Sequence, residues 1–374
     1  MNKKIKDLLN ITPKEYFMLE EILEQKIVFN KLAAKFFAND LKIEIKDFPL
    51  KKWDKIVICA SGSSKNAGEI AKYLIEGMAN ITASIEYASE FAHKQFALSK
   101  NDLFIAISQS GNTADTYEAL LRAKEFGATT FAITNNKNSK IHKEADFKVL
   151  ADAGEEKSIA ATKSFTAQLF ILYTYVFALT ERVKKTNIDE LKKEFLDIQN
   201  KYDEIFEQRD KIKTIAKNIK NSKSLVILSR NINSALAKEG SLKIKETCYI
   251  NATSFPSGEF LHGHFAFLDK SIPILAIVNR ALNKNSENYK LLTNNLKEIQ
   301  TKRGIKLILI KTKNDETIDK ILKYRYSIDI PGVKTIFTPI LNLVALQLLA
   351  YETAKLIHKD IDKPRNLKKC VDNE

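Results

Sequence analysis

The chain has 374 residues, 44% hydrophobic and 28% charged, the make-up of a globular protein long enough for two ordinary domains. Its formal charge of +14 raises nucleic acid as a partner, but the excess is scattered lysine and not the arginine that reads base edges, so no nucleic-acid partner is expected. Cys59, Cys248 and Cys370 are too widely spaced and too few for a disulfide framework or a zinc cluster. No apolar run reaches bilayer length, the longest candidate being 165–180, and the N-terminus lacks a secretory core. A cytoplasmic protein with no metal and no membrane association is expected.

Residues 1–48 read as an N-terminal helical segment, with Tyr16, Leu19, Ile22, Leu23, Ile27 and Phe29 at helical spacing in a charged background. Residues 49–195 open with "WDKIVICASGSSKNAGEIAKYLIEGMA". A strand at Ile56–Ala60 runs into a Ser/Gly loop and then an amphipathic helix with Ile70, Tyr73 and Leu74 inward. "ITASIEYASEF" is a second strand, "DLFIAISQSGNTADTYEALLRAKEFGA" repeats the strand, polar loop and helix, and "TTFAITN" is a further strand. From about 158 to 220 the pattern is helical, with 196–220 set apart as a linker. The strand–loop–helix theme returns over 221–358 in "SLVILSRNINSALAKEGSLKIKETCYI", "IPILAIVN", "KLILIK" and a final apolar helix, and 359–374 form a tail. Alternating β and α elements with short loops predict an α/β fold of two parallel-sheet units joined by helices.

Two loops carry the chemistry. "ASGSS" (60–64) and "SQSGNT" (108–113) each follow a buried strand and open a helix, where open parallel sheets bind ligands. Hydroxyls, a glycine and helix N-terminal N–H groups suit a phosphate without arginine, and hydroxyls also suit sugar OH groups. Neither loop has the spacing of a dinucleotide or nucleoside-triphosphate motif, and no cofactor is expected. The plainer alternative is that these Ser and Thr side chains only cap helices.

"SQSGNTADT", "AATKSFTAQ", "KEGSLKIKE", "GEFLHG" and "DIDKPRNLKK" occur in the order seen in the sugar isomerase (SIS) family, over about residues 50–374. Within that family the chain most resembles the isomerase half of glutamine–fructose-6-phosphate aminotransferases. The resemblance implies two flavodoxin-like SIS subdomains and a C-terminal tail that folds over the active site. Those aminotransferases also carry a glutaminase domain with an N-terminal cysteine nucleophile. The first cysteine here is Cys59, at the end of a core-type strand, so glutamine hydrolysis by that route is not expected.

The same resemblance distributes roles. Ser108, Gln109, Ser110 and Thr113 would hold the phosphate of a hexose phosphate, with Ser63 and Ser64 contacting sugar or phosphate. Glu246 would move the C1/C2 proton, and Lys243, three residues earlier on the same helical face, would keep it ionised or steer an enediol oxyanion. His262 would open the ring from the neighbouring subunit, making a homodimer the active form. Lys369 would form an imine with the open-chain ketose, with Lys368 the alternative. Without the resemblance, Glu246 reads as an ion-paired surface residue and Lys369 as a solvated tail lysine. Three positions depart from the family pattern: Leu261 and His264 flank His262, the latter implying a changed loop or a second acid/base, and Ala161 replaces a substrate-contacting serine. His142 and His358 read as surface residues.

The expected activity is interconversion of fructose 6-phosphate and glucosamine 6-phosphate, with nitrogen from ammonia or a separate glutaminase partner. A glucosamine-6-phosphate deaminase or a fructosamine-phosphate deglycase is the alternative within the same chemistry. A sugar-phosphate sensor is the alternative outside it, and it would have no use for Glu246, His262 and Lys369.

Overall fold

The computed structural model describes residues 16–44, 46–280, 286–303, 305, 307–358 and 360–369. The N-terminal segment at 1–15 and the tail at 359 and 370–374, Cys370 included, lie outside them. The chain divides into two compact units, one formed by Glu24–Leu196 with residues 368–369, the other by residues 16–23 with Asp197–Leu367. The boundaries thus cut across the helical segment and the linker set apart in the sequence.

The first unit is a five-stranded parallel sheet of β1 (Lys55–Ala60), β2 (Thr82–Tyr87), β3 (Leu103–Ser108), β4 (Thr129–Thr134) and β5 (Phe147–Leu150), in the order β2-β1-β3-β4-β5. Strands β1 and β3 are adjacent and in register, Cys59 opposite Ala106 and Ala60 opposite Ile107, so both polar loops leave the sheet side by side. Helices cover both faces, which is why the central strands are apolar throughout instead of alternating. The helices are α1 (Phe17–Phe36), α2 (Gly62–Leu74), α3 (Ala114–Glu125) and α4 (Lys163–Lys184). On α2, a Cβ at Gly68 would come within 2.7 Å of Ile58 Cγ2 and 2.9 Å of Ile85 Cδ1, so glycine is what lets this helix lie close on the sheet. Every residue of α4 from Lys163 to Thr180 is buried, and Phe170 packs edge-on against Phe29 of α1 at 4.8 Å between ring centres. Three expected core positions differ: Tyr16 is half-buried just before α1 begins, and Ile27 is 49% exposed and Tyr73 half-buried because each sits at the edge of its helix's apolar stripe.

The second unit repeats the topology with β6 (Ser224–Ser229), β7 (Asn251–Pro256), β8 (Ile274–Val278), β9 (Leu307–Thr312) and β10 (Tyr324–Ile330), in the order β10-β9-β8-β6-β7. Helices α5 (Arg209–Ile219) and α6 (Ile232–Cys248) pack on α7 (Thr338–Ile357). The stretch 196–220 therefore contributes to a core: Ile212, Ile215 and Ala216 are fully buried, and Arg209 pairs with Glu352 of α7 at 2.5 Å. The segment Thr335–Ile357 is long and apolar enough to cross a membrane by length and composition, which the sequence reading missed, but its apolar 18-residue stretch is 83% buried inside the protein. It is a core helix, apolar all round because it is enclosed.

Candidate active site

The two polar loops sit at the carboxyl ends of β1 and β3, the point where the strand order reverses direction and an open α/β sheet leaves a crevice. In the second loop Ser108 is 3% exposed. Its Oγ lies 2.9 Å from Thr113 Oγ1 and accepts from Gly111 N at 3.0 Å, so it shapes the loop from beneath. Ser110 Oγ accepts from Asn112 N at 3.1 Å, and the loop is tied to its neighbours by Gly111 O and Asn112 Oδ1, which accept from Ile141 N and Lys140 N. Gly111 has φ +68°, and a Cβ there would lie 2.6 Å from Ser139 Cβ, so the turn admits only glycine without strain. Gln109, Ser110 and Thr113 remain half-exposed.

The helix-capping alternative fails on geometry. Ser61 and Thr113 occupy the N-cap positions of α2 and α3, yet neither side chain makes a capping bond. Ser64 Oγ instead accepts from Gln168 Nε2 of α4 at 3.0 Å.

Just upstream of α4 lies a residue that the sequence reading did not single out. Glu156 is 6% exposed as a residue, with its carboxylate enclosed. Oε1 accepts from Thr162 N at 2.9 Å and Ser164 N at 3.0 Å, capping α4 from six residues upstream, where a negative charge suits the helix dipole. Oε2 accepts from Ser164 Oγ at 2.7 Å and from Lys369 Nζ at 2.7 Å, and the same ammonium donates to Ser158 O at 2.6 Å. Burial alone would raise the Glu156 carboxyl. The Lys369 ammonium, the Thr162 N–H and the Ser164 hydroxyl outweigh it and hold the group below its ordinary value. Ser164 and Gln168 lie one turn apart on the same face of α4, so the seat of Lys369 and the Ser64 loop are neighbours along that helix. Lys368 is exposed. Ala161 is half-buried, one residue before the cap.

In the second unit, Glu239, Lys243 and Glu246 share one face of α6 at i, i+4 and i+7. Lys243, 1% exposed, lies 3.4 Å from Glu239 Oε1 and 2.5 Å from Glu246 Oε2. Glu239 is fully buried and the Glu246 side chain is 20% exposed. Glu246 is thus ion-paired and still partly open. His262 is exposed at the end of the Ser257–Leu261 helix, its N–H bonded to Glu259 O at 2.9 Å. His264 lies against Phe255, ring centres 4.2 Å apart.

The tail is pinned within the second unit as far as Leu367. Asp362 accepts from Phe17 N and Met18 N at the start of α1, and Arg365 N donates to Tyr249 Oη at 2.9 Å. His358, read as a surface residue, stacks on Tyr249 at 4.7 Å and donates from Nε2 to Thr247 O while Nδ1 accepts from Asp360 N. His142 likewise bonds Thr134 Oγ1 at 3.0 Å and is half-buried. Both serve the local structure: His358 satisfies two backbone groups at the tail, and His142 ties its helix to the end of β4 through Thr134. Among the described residues, no three of His, Cys, Asp or Glu gather as metal ligands.

The structure thus brings Ser63, Ser64, Ser108, Gln109, Ser110, Thr113 and Lys369 into one unit, and Lys243, Glu246 and His262 into the other. Ser164 and Gln168 were legible only as polar residues within "AATKSFTAQ", and Glu156 only as a polar residue four positions before it.

Comparison with known proteins agrees with this topology. The SIS domain family matches residues 49–178 and 218–356, one match per unit. The chain is 36% identical over 366 residues to a glutamine–fructose-6-phosphate aminotransferase (isomerizing) of Chlorobaculum tepidum, covering 96% of this chain and 58% of that relative's length. Its structure is similar to the C-terminal domain of the glucosamine–fructose-6-phosphate aminotransferase of Francisella tularensis, with TM-score 0.86, 31% identity, and 94% and 99% of the two chains covered. A glucosamine-6-phosphate deaminase of Thermotoga maritima shares the fold at TM-score 0.74 and 21% identity, over 95% and 99% of the two chains.

Proposed function

We propose that this chain, which belongs to the SIS domain family, is an amino-sugar-phosphate isomerase that interconverts fructose 6-phosphate and glucosamine 6-phosphate, taking its nitrogen from ammonia, free or delivered by a separate glutaminase. The observation that carries the reading is the seating of Lys369 on buried Glu156. A tail lysine fixed in place by a carboxylate and a carbonyl is positioned for imine chemistry, for which it must first give up a proton, and a sensor would have no use for it.

In this reading the half-exposed groups of the 108–113 loop, with Ser63 and Ser64, hold the phosphate and sugar hydroxyls. Hydroxyls and amide N–H groups do this without a cation. Lys369 forms an imine at C2, ammonia then displaces the lysine nitrogen by transimination, and the C2 iminium that results makes the C1 hydrogen acidic. Glu246 moves the proton between C1 and C2, with Lys243 as its ion-pair partner. His262, exposed on the chain that bears it, acts on the ring of a substrate bound to the partner copy of a homodimer.

The test uses the purified chain with fructose 6-phosphate and ammonium, following glucosamine 6-phosphate by mass spectrometry, with the reverse reaction in parallel. Synthesis with ammonium supports the reading. Ammonia release from glucosamine 6-phosphate with negligible synthesis would make the chain a deaminase. Binding of either sugar phosphate without turnover would make it a sensor. The shared histidine is tested by mixing Glu246→Gln and His262→Ala chains, each inactive alone. Activity regained on mixing supports donation across the dimer, and continued silence overturns it.

A further inference from the structure

We propose that Glu156 is the positioning residue of Lys369 and the fixed counter-ion of its imine, in addition to capping α4. The inference rests on the imine role given to Lys369 above and extends it to a residue no comparison assigns.

The geometry separates the two jobs by oxygen. Oε1 faces the N–H groups of Thr162 and Ser164 and serves the helix. Oε2 faces Lys369 Nζ at 2.7 Å, with Ser164 Oγ as its second donor. A cap alone needs only the first oxygen, so burying the second against an ammonium calls for another reason. Ser158 O, 2.6 Å from the same nitrogen, fixes the amine from a second direction, so its position is set by two acceptors on one segment.

The charge arithmetic of imine formation explains why an anion belongs there. Lys369–NH3+ and a C2 carbonyl give Lys369–NH+=C2 and one water. Two hydrogens leave nitrogen for the departing oxygen, one stays, and the positive charge remains on nitrogen. An anion that is matched to the ammonium before the step is therefore matched to the iminium after it, without reorganising. The iminium is the form that ammonia attacks at C2 to displace Lys369, so an adjacent carboxylate favours the reactive species. Held ionised by four donors besides the lysine, Glu156 is a poor proton acceptor, and its role is electrostatic.

Sodium borohydride trapping with fructose 6-phosphate, measured by intact mass across pH 6 to 9, tests this. Wild type should gain one reduced hexose phosphate, mapping to Lys369. Glu156→Gln keeps the Oε1 acceptor and the cap but removes the charge. The cation on nitrogen then loses its partner, and the alkaline limb of the trapping profile should move to lower pH. At pH 8.5 that is about a tenfold loss, since Lys369 is partly exposed and the pair is partly screened, with the affinity for fructose 6-phosphate held within about twofold. Glu156→Asp keeps the charge and should restore the wild-type limb. Ser164→Ala removes one donor from Oε2, leaves more charge for the lysine, and should move the limb the other way, which keeps the test open if Glu156→Gln does not fold. An unshifted limb in Glu156→Gln, or an Asp variant that behaves like the Gln variant, overturns the counter-ion role and leaves Glu156 a helix cap. Failure of wild type to trap at Lys369 overturns the imine reading itself, and this proposal with it.

Discussion

Gly111 and Gly62 make a matched pair, because both take a left-handed backbone beside a polar loop but only one is crowded. Gly111 has φ +68° and Gly62 φ +54°, so Ala at either should cost about 1–2 kcal/mol for backbone strain. At Gly62 nothing lies within 4 Å of a Cβ. At Gly111 a Cβ would sit 2.6 Å from Ser139 Cβ, closer still to its Oγ, and 3.2 Å from Thr134 Cγ2. Ser139 is 1% exposed and cannot swing away freely. Its hydroxyl donates to Asn136 O at 2.7 Å and accepts from His142 N as the cap of the Lys140–Glu144 helix. Overpacking there adds about 1–3 kcal/mol, so Gly111→Ala should cost about 2–5 kcal/mol in all. Urea unfolding of wild type, Gly62→Ala, Gly111→Ala, Ser139→Gly and Gly111→Ala/Ser139→Gly measures this. The Ser139→Gly partner deletes the colliding atoms but also the helix cap, so the double variant, read against Ser139→Gly alone, should recover the overpacking part and leave the strain. Gly111→Ala should also raise KM for fructose 6-phosphate, because the 108–113 turn must shift. Equal losses at Gly62 and Gly111, within about 0.5 kcal/mol, would refute the reasoning.

Ser110→Ala/Thr113→Ala should raise KM for sugar phosphate by about a hundredfold or more with the fold intact by circular dichroism, each lost hydrogen bond to a charged phosphate being worth about 1.5–3 kcal/mol. Arg209→Met strands the buried Glu352 carboxylate and should destabilise by about 3–5 kcal/mol, whereas Arg209→Met/Glu352→Leu should recover most of it in chemical denaturation. Burial pushes the Cys248 thiol up to about 12 and the fully buried Cys59 thiol higher, so a Cys370→Ser variant should show no fast thiol reaction at pH 8 until unfolded in guanidinium. The Glu156 carboxyl is held below its ordinary value in the fold. Its contribution to stability is therefore present above the unfolded-state value and lost as pH falls through the folded one. The stability gap between wild type and Glu156→Gln should narrow on acidification below pH 5 and stay constant above it.

The elements that read clearly were those whose cause is local. Apolar stretches such as "KIVICA" and "LFIAIS" declare a strand covered on both faces, and the polar residues that follow declare where the sheet ends. Glu239, Lys243 and Glu246 share a helical face by spacing alone, although the notable partner, Glu239, emerges only when all three are seen around one ammonium. Ser108 is the opposite case. By composition it belongs with Ser110 and Thr113, but its hydroxyl turns inward to the loop's own backbone, and only the path of the turn decides that.

The strand–loop–helix alternation, the doubled unit and the hydroxyl loops at strand ends were determined by the sequence, because periodicity and turn chemistry act over a few residues. The tail was decided elsewhere. Asp362 caps α1 across 344 residues and Lys369 meets Glu156 across 213, contacts for which no local pattern exists. A lysine near a chain end is a solvated side chain until a buried carboxylate is found beside it. Finding that carboxylate requires the fold, since burial, and the electrostatic strength that burial confers, belong to tertiary structure alone.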